Sequence, residues 1–325
     1  MKPSNSAVTS GISTPIPFIA AANYAQAGAW VNALQAAMPA ERIVAFDAMS
    51  DEDKLACQVA IVANPNPADL QQLPQLEWIH SVWAGVERLV ADLGDTHLKI
   101  VRLVDPQLAN TMAEAVLAWT LYLHRDMPAY AKQQAQQIWQ ALDYVRPQQR
   151  RISLLGLGAL GEAAAVSLLR EGFQVAGWSR HRKAIEGVSC FAGADELPAM
   201  LAQTDILVCL LPLTPDTRGL LNASTLAALP KGASLINFAR GAIINDADLH
   251  AALDSGHLAH AVLDVFEVEP LPVSQWQWQH PSVTLLPHCS APTDRQTASQ
   301  IVAGNILRYR QSGVLPVTID VQRGY

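Results

Sequence analysis

Three polar side chains in the second half of the chain, Arg240, Glu269 and His288, each follow a short apolar run. An arginine can hold a carboxylate through two parallel hydrogen bonds. A histidine donates a proton near neutral pH, and a neighbouring glutamate fixes its tautomer and favours the imidazolium. Singly, each has an ordinary alternative as a surface or loop residue. Because parallel strands end at one edge of a sheet, the three together predict an acid–base site for a carboxylate-bearing substrate.

A glycine-rich turn precedes these residues and carries Gly156, Gly158 and Gly161. The first glycine permits a tight turn, the second lets a pyrophosphate approach the backbone, and the third lets a helix pack against its strand. The flanking residues predict a strand, a helix and a second strand: Ile152–Leu155, Ala163–Leu169 and Phe173–Trp178. This βαβ unit predicts dinucleotide binding, with a glycine-rich core turn as the alternative.

The end of the second of these strands indicates which dinucleotide binds. Ser179 stands where the fingerprint expects an acidic residue for the ribose 2′-hydroxyl, and Arg180, Arg182 and Lys183 follow. An arginine can bind a 2′-phosphate through charge-assisted hydrogen bonds, whereas an acid would repel it. The sequence therefore predicts NADP(H) in preference to NAD(H). The alternative is a solvated basic turn.

A second candidate anion site lies early in the chain, in the loop from Ser81 to Glu87. It leaves a predicted strand through small residues, and backbone N–H groups around Ala84 to Val86 could form a nest for a small anion. A tight strand-to-helix turn without a ligand explains the same residues equally well, and the residues alone leave both readings open.

Composition excludes several functional classes. The 325 residues are 50% hydrophobic and 16% charged, with a formal net charge of −7, which argues against a general nucleic-acid binder or an anionic membrane surface. No apolar run reaches the roughly 18 residues of a membrane span, and no signal peptide is expected in the irregular segment Met1–Thr14. The four cysteines are scattered and form no CxxC pair: Cys57, Cys190, Cys209 and Cys289. They predict no disulfide framework, no metal site and a cytoplasmic location.

Alternating strands and helices predict two α/β domains. The first has five strands and comprises residues 1–103 with 290–325, because a last helix, Thr297–Tyr309, is expected to return to it. The second comprises residues 104–289 and has a six-stranded sheet. Asn110–His124 reads as a buried apolar helix, lying between domains or across a subunit interface, and Tyr130–Leu142 as a further helix.

The chain resembles the D-2-hydroxyacid dehydrogenase family, most closely its branch that reduces glyoxylate and hydroxypyruvate. The resemblance runs from about residue 17 to 325, in family order and spacing, on these motifs: Trp83-Ala84-Gly85-Val86, Gly156-Leu157-Gly158-Ala159-Leu160-Gly161, Trp178-Ser179-Arg180, Leu211-Pro212-Leu213-Thr214-Pro215-Asp216-Thr217, Asn237-Phe238-Ala239-Arg240-Gly241, Leu263-Asp264-Val265-Phe266 and Pro287-His288. It implies two Rossmann-like domains with doubly wound parallel sheets. The first would be a flavodoxin-like substrate domain, the second would bind NADP, and the active site would lie in the interdomain cleft.

The resemblance also implies roles for individual residues. His288 would protonate the keto oxygen, Glu269 would keep His288 protonated, and Arg240 would bind the substrate carboxylate. Backbone N–H groups of Gly85 and Val86 would bind the same carboxylate. Further implied substrate contacts are Trp83, Ala84 and Trp139, with core packing as the alternative for the tryptophans. Implied cofactor contacts are Gly156, Gly158, Ala159, Leu160, Gly161, Ser179, Arg180, Arg182, Lys183, Leu211, Pro212, Thr217, Phe238, Ala239, Asp264 and Ser290, the last a departure from the small apolar residue usual in the family.

The function that follows is NADPH-dependent reduction of short 2-keto acids, glyoxylate to glycolate or hydroxypyruvate to D-glycerate. A 2-ketoacid reductase of broader specificity is one alternative, and a cofactor-sensing regulatory protein is another. The intact set of Arg240, Glu269 and His288 argues against the regulator. The apolar helix Asn110–Leu123 and the resemblance both favour a homodimer.

Overall fold

Strands and helices alternate along the computed structural model, which describes residues 14–94 and 96–320. Within these residues the strands are β1 (Ile16–Ala20), β2 (Ile43–Ala45), β3 (Val59–Ala63), β4 (Trp78–Ser81), β5 (Lys99–Val101), β6 (Arg151–Leu155), β7 (Gln174–Ser179), β8 (Val188–Ala192), β9 (Ile206–Cys209), β10 (Ala233–Asn237), β11 (Leu258–Leu263) and β12 (Val283–Leu285). The helices are α1 (Ala27–Ala37), α2 (Asp51–Ala56), α3 (Pro67–Leu70), α4 (Glu87–Leu93), α5 (Pro106–His124), α6 (Met127–Ala135), α7 (Ala159–Arg170), α8 (Gly193–Leu201), α9 (Ala223–Ala227), α10 (Asp246–Asp254) and α11 (Arg295–Ser312). The irregular segment predicted for Met1–Thr14 lies almost wholly outside the described residues.

The chain divides into two units, Met1–Asp105 with Thr293–Tyr325, and Pro106–Pro292. The boundaries predicted from the sequence fall two and three residues earlier. None of the helices in the described ranges is long and apolar enough to cross a membrane.

The first unit is built on a five-stranded parallel sheet in the order β2-β1-β3-β4-β5. This is the flavodoxin-like order, as predicted. Helix α1 buries Trp30 and Leu34 against the sheet residue Phe18. The last helix, α11, adds Val302 and Ile306 to the same core. The chain therefore returns to its first unit after completing the second.

The second unit is built on a seven-stranded parallel sheet in the order β12-β11-β10-β9-β6-β7-β8. Strands β6 to β11, numbered in chain order, have the Rossmann order 3-2-1-4-5-6, and β12 extends the sheet beyond β11. The six-strand prediction missed β8, because this edge strand lacks the buried apolar run that identifies interior strands. Hydrophobic cores on both faces confirm a doubly wound arrangement. The predicted buried helix is α5, which packs Met112 and Val116 into the same core as Ala164 and Leu168 of α7.

The helix predicted for Tyr130–Leu142 is wrong beyond Ala135, where α6 ends. Gln137 adopts a left-handed backbone with φ of 58° and stops the helix. The segment offers no apolar stripe to bury, so tertiary packing does not extend it. The side chain of Trp139 is 103% exposed, which excludes core packing as its role. Its predicted contact with substrate receives no support from its own unit and stays a prediction.

Candidate active site

Three adjacent parallel strands, β10, β11 and β12, bring the predicted catalytic residues to one edge of the second unit's sheet. Arg240, Glu269 and His288 all lie beyond the carboxyl ends of these strands. The Arg240 charge acts on both of the others, since it adds to the lowering of the Glu269 pKa and partly opposes the rise of the His288 pKa. The structure therefore assembles the three side chains that the sequence grouped together.

His288 and Glu269 form a direct pair, with His288 Nδ1 lying 2.7 Å from Glu269 Oε2. The hydrogen bond to Glu269 raises the pKa of His288 above its ordinary value, against the opposing effect of burial. Burial alone would raise the pKa of Glu269, but bonds from His288 and the Phe266 N–H outweigh it, and this pKa is lowered. The pair therefore favours an imidazolium beside a carboxylate. Because Nδ1 faces Glu269, Nε2 is left to donate a proton.

Asp264 positions the backbone around His288. It is 2% exposed, and its carboxylate oxygens accept the N–H groups of Cys289 at 2.7 Å and Ser290 at 3.0 Å. Its carbonyl accepts the His288 N–H at 2.9 Å, while His288 adopts a left-handed backbone with φ of 52°. Asp264 was predicted to orient a nicotinamide, but both its carboxylate oxygens hold this loop. Ser290 Oγ is buried and has no partner within the described ranges, so this predicted cofactor contact retains an unused polar atom.

Two residues to which the sequence assigned no role of their own hold the Arg240 loop. Asn237 is fully buried, and its side chain accepts the Ala239 N–H and donates to the Arg240 carbonyl, both at 3.1 Å. Gly241 lies so close to the backbone after β11 that a Cβ there would approach the Phe266 carbonyl carbon to 2.1 Å. A polar residue ending an apolar strand needs a partner, which was the signal for Asn237. The close approach at Gly241 is a long-range contact with no signal in the sequence.

The His288–Glu269 pair makes the reaction depend on pH. For the keto-acid reduction that the sequence resemblance implies, kcat/KM should be level at low pH and should fall as pH rises through the His288 pKa, above the ordinary value of 6.5, because only the imidazolium donates a proton. Glu269→Gln removes the main cause of the raised pKa, so the fall should move to lower pH. Steady-state rates across pH measure both. A wild-type midpoint below 6.5, or an unmoved midpoint in Glu269→Gln, would contradict the pairing.

The glycine turn after β6 is required by close contacts. Gly156 has φ of +105°, and a Cβ there would lie 2.9 Å from the Leu210 carbonyl oxygen. A Cβ on Gly161 would lie 1.9 Å from the Gly156 oxygen. A Cβ on Gly158 would meet nothing within 4 Å, so this position faces open space. The turn is thus closed where the protein packs on itself and open where a pyrophosphate is expected.

Helix α7 begins directly at this turn and supplies the donors for an anion. The first N–H groups of a helix have no partner inside it, and here they belong to Ala159, Leu160 and Gly161. No side chain caps the helix at its N-cap residue, Gly158. The helix dipole adds a partial positive charge at the same end. These residues fit a dinucleotide pyrophosphate.

The end of β7 holds the residues predicted to select the cofactor. Ser179 takes the place of the acid, and its hydroxyl donates to the His181 carbonyl at 2.7 Å. Arg180 and Lys183 are exposed in the loop that follows. No carboxylate stands at position 179 to repel a 2′-phosphate.

The guanidinium of Arg182 is engaged within the protein. It forms an ion pair with Glu196 and donates to the Cys190 carbonyl at 2.7 Å. The Ala192 N–H also binds Glu196, at 2.7 Å, and this bond is the first cause of the lowered pKa of Glu196. Within the predicted basic cluster, Arg182 therefore binds to β8 and α8. Glu196 was not identified from the sequence, since β8 itself was missed.

Other predicted cofactor contacts lie at the edge but use their side chains within the protein. Thr217 donates to the Pro212 carbonyl at 2.7 Å and accepts the Thr214 N–H at 2.8 Å, which closes the loop after β9. Three others bury their side chains in the hydrophobic cores: Leu211, Phe238 and Ala239. Any ligand contact at these three positions would come from the backbone.

In the first unit, the loop after β4 presents backbone donors. The Trp83 N–H binds Ser81 Oγ at 3.0 Å. For the three residues that follow, Ala84, Gly85 and Val86, no hydrogen bond to their N–H groups is formed by the part of the chain that the structure describes. Three successive N–H groups without partners among the described residues are available to the predicted anion nest.

Trp83 is held beside this loop by an aromatic cluster. Its ring meets Tyr24 and Trp30 edge-on, at centroid distances of 6.1 and 5.9 Å. Trp30 Nε1 donates to the Tyr24 hydroxyl at 2.9 Å, which fixes two members of the cluster. Trp83 Nε1 is buried and has no partner in the described ranges. The side chain thus packs in its own unit while keeping one unused donor.

Comparison with known proteins gives the family. Residues 117–290 match the family model described as "D-isomer specific 2-hydroxyacid dehydrogenase, NAD binding domain". The chain is 37% identical over 308 residues to glyoxylate/hydroxypyruvate reductase A of Yersinia enterocolitica, covering 92% of this chain and 97% of the relative. The chain belongs to the D-isomer specific 2-hydroxyacid dehydrogenase family.

Solved structures of other 2-hydroxyacid dehydrogenases have the same fold. One from Xanthobacter autotrophicus, in complex with NADPH and MES, is 41% identical, with a TM-score of 0.88 over 96% of this chain and 99% of that one. An NADPH-dependent glyoxylate/hydroxypyruvate reductase from Sinorhizobium meliloti, in complex with NADP and sulfate, is 33% identical, with a TM-score of 0.86 over 95% and 100%. This 2-hydroxyacid dehydrogenase therefore matches its relatives over nearly their whole length.

Proposed function

We propose that the chain reduces short 2-keto acids with NADPH, converting glyoxylate to glycolate and hydroxypyruvate to D-glycerate. The observation that carries the proposal is the 2.7 Å contact between His288 Nδ1 and Glu269 Oε2. It prepares a charged proton donor at the same edge of the sheet as the glycine turn. The similar reductases from Yersinia and Sinorhizobium, both named for these substrates, support the substrate class.

The chemistry needs a hydride at the keto carbon and a proton at the keto oxygen. NADPH bound at the glycine turn would supply the hydride. Arg240 would hold the substrate carboxylate and draw electron density from the adjacent carbonyl. His288 Nε2 would donate the proton, and Glu269 would stabilise the imidazolium until transfer. In the first unit, we propose that the N–H groups of Ala84, Gly85 and Val86 bind a carboxylate and that Trp83 limits the space beside them.

NADPH is the proposed cofactor because the acid that would repel its 2′-phosphate is absent. A carboxylate at position 179 would oppose each phosphate charge by about 4 kcal/mol at about 4 Å and an effective dielectric near 20. Ser179 removes that repulsion, and Arg180 follows it. The similar structures from Xanthobacter and Sinorhizobium hold NADPH and NADP.

Arg180 and Arg182 should contribute unequally to NADPH selection. We expect Arg180→Ala to lower kcat/KM for NADPH about 10- to 100-fold, the value of one charge-assisted hydrogen bond, and to leave kcat/KM for NADH close to wild type. Arg182→Ala is the matched control and should cost less, because Arg180 directly follows the strand end at Ser179, whereas Arg182 lies two residues further on and binds Glu196 and the Cys190 carbonyl. Equal losses in the two variants would contradict this division.

A panel of 2-keto acids assayed with both nicotinamides tests the function. We expect glyoxylate and hydroxypyruvate to give the highest kcat/KM, and NADPH to exceed NADH with each. A preference for longer acyl chains would instead favour a broader 2-ketoacid reductase. Failure to oxidise NADPH with any short 2-keto acid, together with intact NADPH binding, would favour a cofactor-sensing regulator.

We further propose a cytoplasmic homodimer. The cytoplasmic location is supported by the four cysteines, which are all free thiols, as is usual in a reducing compartment. Several large apolar side chains on and after α6 are exposed on the single chain and are available to a second copy: Met127, Tyr130, Ile138, Trp139 and Tyr144. Light scattering on the purified protein should give twice the chain mass, and a monomeric mass at micromolar concentration would contradict it.

A further inference from the structure

A cluster of two histidines and an aspartate lies away from the catalytic edge of the second unit. Asp254 ends α10, which leads into β11, and His280 lies three residues before β12. The cluster therefore stands at the amino-terminal edge of the sheet, opposite the edge that carries His288. His250, one helical turn before Asp254, completes it. Neither the proposed reaction nor the cofactor uses these residues.

The spacing of the cluster matches that of metal ligands. His250 Nε2 lies 3.4 Å from Asp254 Oδ2, and His280 Nε2 lies 3.2 Å from Asp254 Oδ1. A tetrahedral ion bound about 2.1 Å from each ligand places ligand atoms about 3.4 Å apart. One ligand atom from each of the three residues lies within 4.8 Å of the others. Only a small closure would bring all three to one ion.

The surrounding residues orient both imidazoles. Trp276 stacks on His250 with ring centroids 4.1 Å apart and an angle of 11°, and it meets His280 edge-on at 5.3 Å. Trp276 is itself fixed by a 2.7 Å hydrogen bond from its Nε1 to Asp246. The His280 side chain is 9% exposed, whereas that of Asp254 is 63% exposed. The ligands are thus held on one side and open to solvent on the other.

The charge at the end of α10 favours a cation. Asp254 is a carboxylate at the negative end of the α10 dipole, and the last turn of this helix contains no basic residue. A carboxylate in this place is disfavoured by the dipole, and a bound cation relieves that cost. Two imidazoles with one carboxylate suit zinc and its transition-metal neighbours, whereas magnesium and calcium prefer oxygen ligands alone.

We propose that His250, Asp254 and His280 form a binding site for a divalent transition metal, with Zn²⁺ as the reference ion and water in the fourth position. His280 Nδ1 accepts the Ser282 N–H at 3.1 Å, so Nε2 carries the proton when no metal is bound. Binding through Nε2 moves that proton to Nδ1 at the expense of the Ser282 bond. The site is therefore weaker than a closed four-ligand zinc site, and the metal links the end of α10 to the segment before β12.

Calorimetric titration of the full chain with ZnCl2, alongside thermal unfolding with ZnCl2 or MgCl2, tests the site. We expect the chain to bind one Zn²⁺ and its Tm to rise with ZnCl2 but not with MgCl2. His250→Gln should weaken binding at least about tenfold and abolish the rise in Tm. His257→Gln is the matched control, since His257 lies near the same helix end and contacts the Leu226 carbonyl instead. It should bind Zn²⁺ as the wild type does.

Asp254→Asn guards against a folding defect in His250→Gln, because it keeps the shape of an exposed side chain while it removes the charge and one of the two acceptor oxygens. It should also weaken Zn²⁺ binding. If the wild type takes up no Zn²⁺, the cluster is only a hydrogen-bonded group and the proposal fails. It fails equally if His250→Gln and Asp254→Asn bind Zn²⁺ unchanged, since the ion then occupies other residues, such as Cys289 beside His288. NADPH-dependent turnover does not enter either outcome, so the two proposals fail separately.

Discussion

Replacing His288 by asparagine should lower kcat for keto-acid reduction about 10²- to 10⁴-fold while leaving the Kd for NADPH close to wild type. The size is that of a lost general acid, because asparagine cannot transfer a proton to the keto oxygen. NADPH binding should persist because the glycine turn and α7 follow β6, whereas His288 follows β12. Asparagine suits the substitution because residue 288 has φ of 52°, a left-handed conformation that asparagine tolerates well. His288→Gln should lose kcat similarly, with some added strain.

Steady-state kinetics and NADPH fluorescence titration give the two quantities. Cys289→Ser is the matched control. Cys289 follows His288 and supplies only its N–H to Asp264, so its side chain can change without altering that bond. This control should keep kcat near wild type. If His288→Asn and Cys289→Ser retain the same kcat, His288 is not the acid.

Replacing Arg240 by alanine should damage substrate binding and turnover together. Loss of a charge-assisted contact to the carboxylate should raise KM about 10- to 100-fold. The value of kcat should fall as well, because the same guanidinium polarises the carbonyl during hydride addition. The pH profile should also shift, since Arg240 partly opposes the rise that Glu269 causes in the His288 pKa, and its removal should extend reduction to higher pH.

Arg240→Lys separates the charge from its geometry. Lysine retains the positive charge but lacks the planar fork for two parallel bonds, so it should restore the pH profile more fully than KM. Measuring kcat, KM and the pH midpoint for both variants tests this. Unchanged KM and kcat in Arg240→Ala would end the assignment of Arg240 to the carboxylate.

The sequence predicted the buried strands well because strands covered on both faces read as continuous apolar runs. Ile206–Cys209 is such a strand, and all four of its residues are buried. The edge strand Val188–Ala192 was missed because its residues are mostly half-exposed. The segment after Ala135 was misread as helix because local propensity does not show that a segment has no surface to pack against.

Within the candidate site, residue types and strand ends predicted Arg240, Glu269 and His288, while the residues that hold them were harder to find. The bond from Glu269 to the Phe266 N–H is local, but the approach of Gly241 to Phe266 joins two strands 25 residues apart. Arg182 shows the same limit, since its partner Glu196 belongs to a helix behind an unrecognised strand. Pairwise contacts of this kind depend on three-dimensional register, which one sequence does not specify.

The hydrogen bonds that Asp264 accepts from the two N–H groups after His288 determine which residues of this loop can be substituted. Because Cys289 contributes only its backbone N–H to these bonds, we expect a change of its side chain to leave the imidazole where it is. Asp264 itself has no such freedom, since an amide would replace one acceptor by a donor facing an N–H. The backbone that carries the imidazole is thus positioned by the fold itself, before a substrate binds.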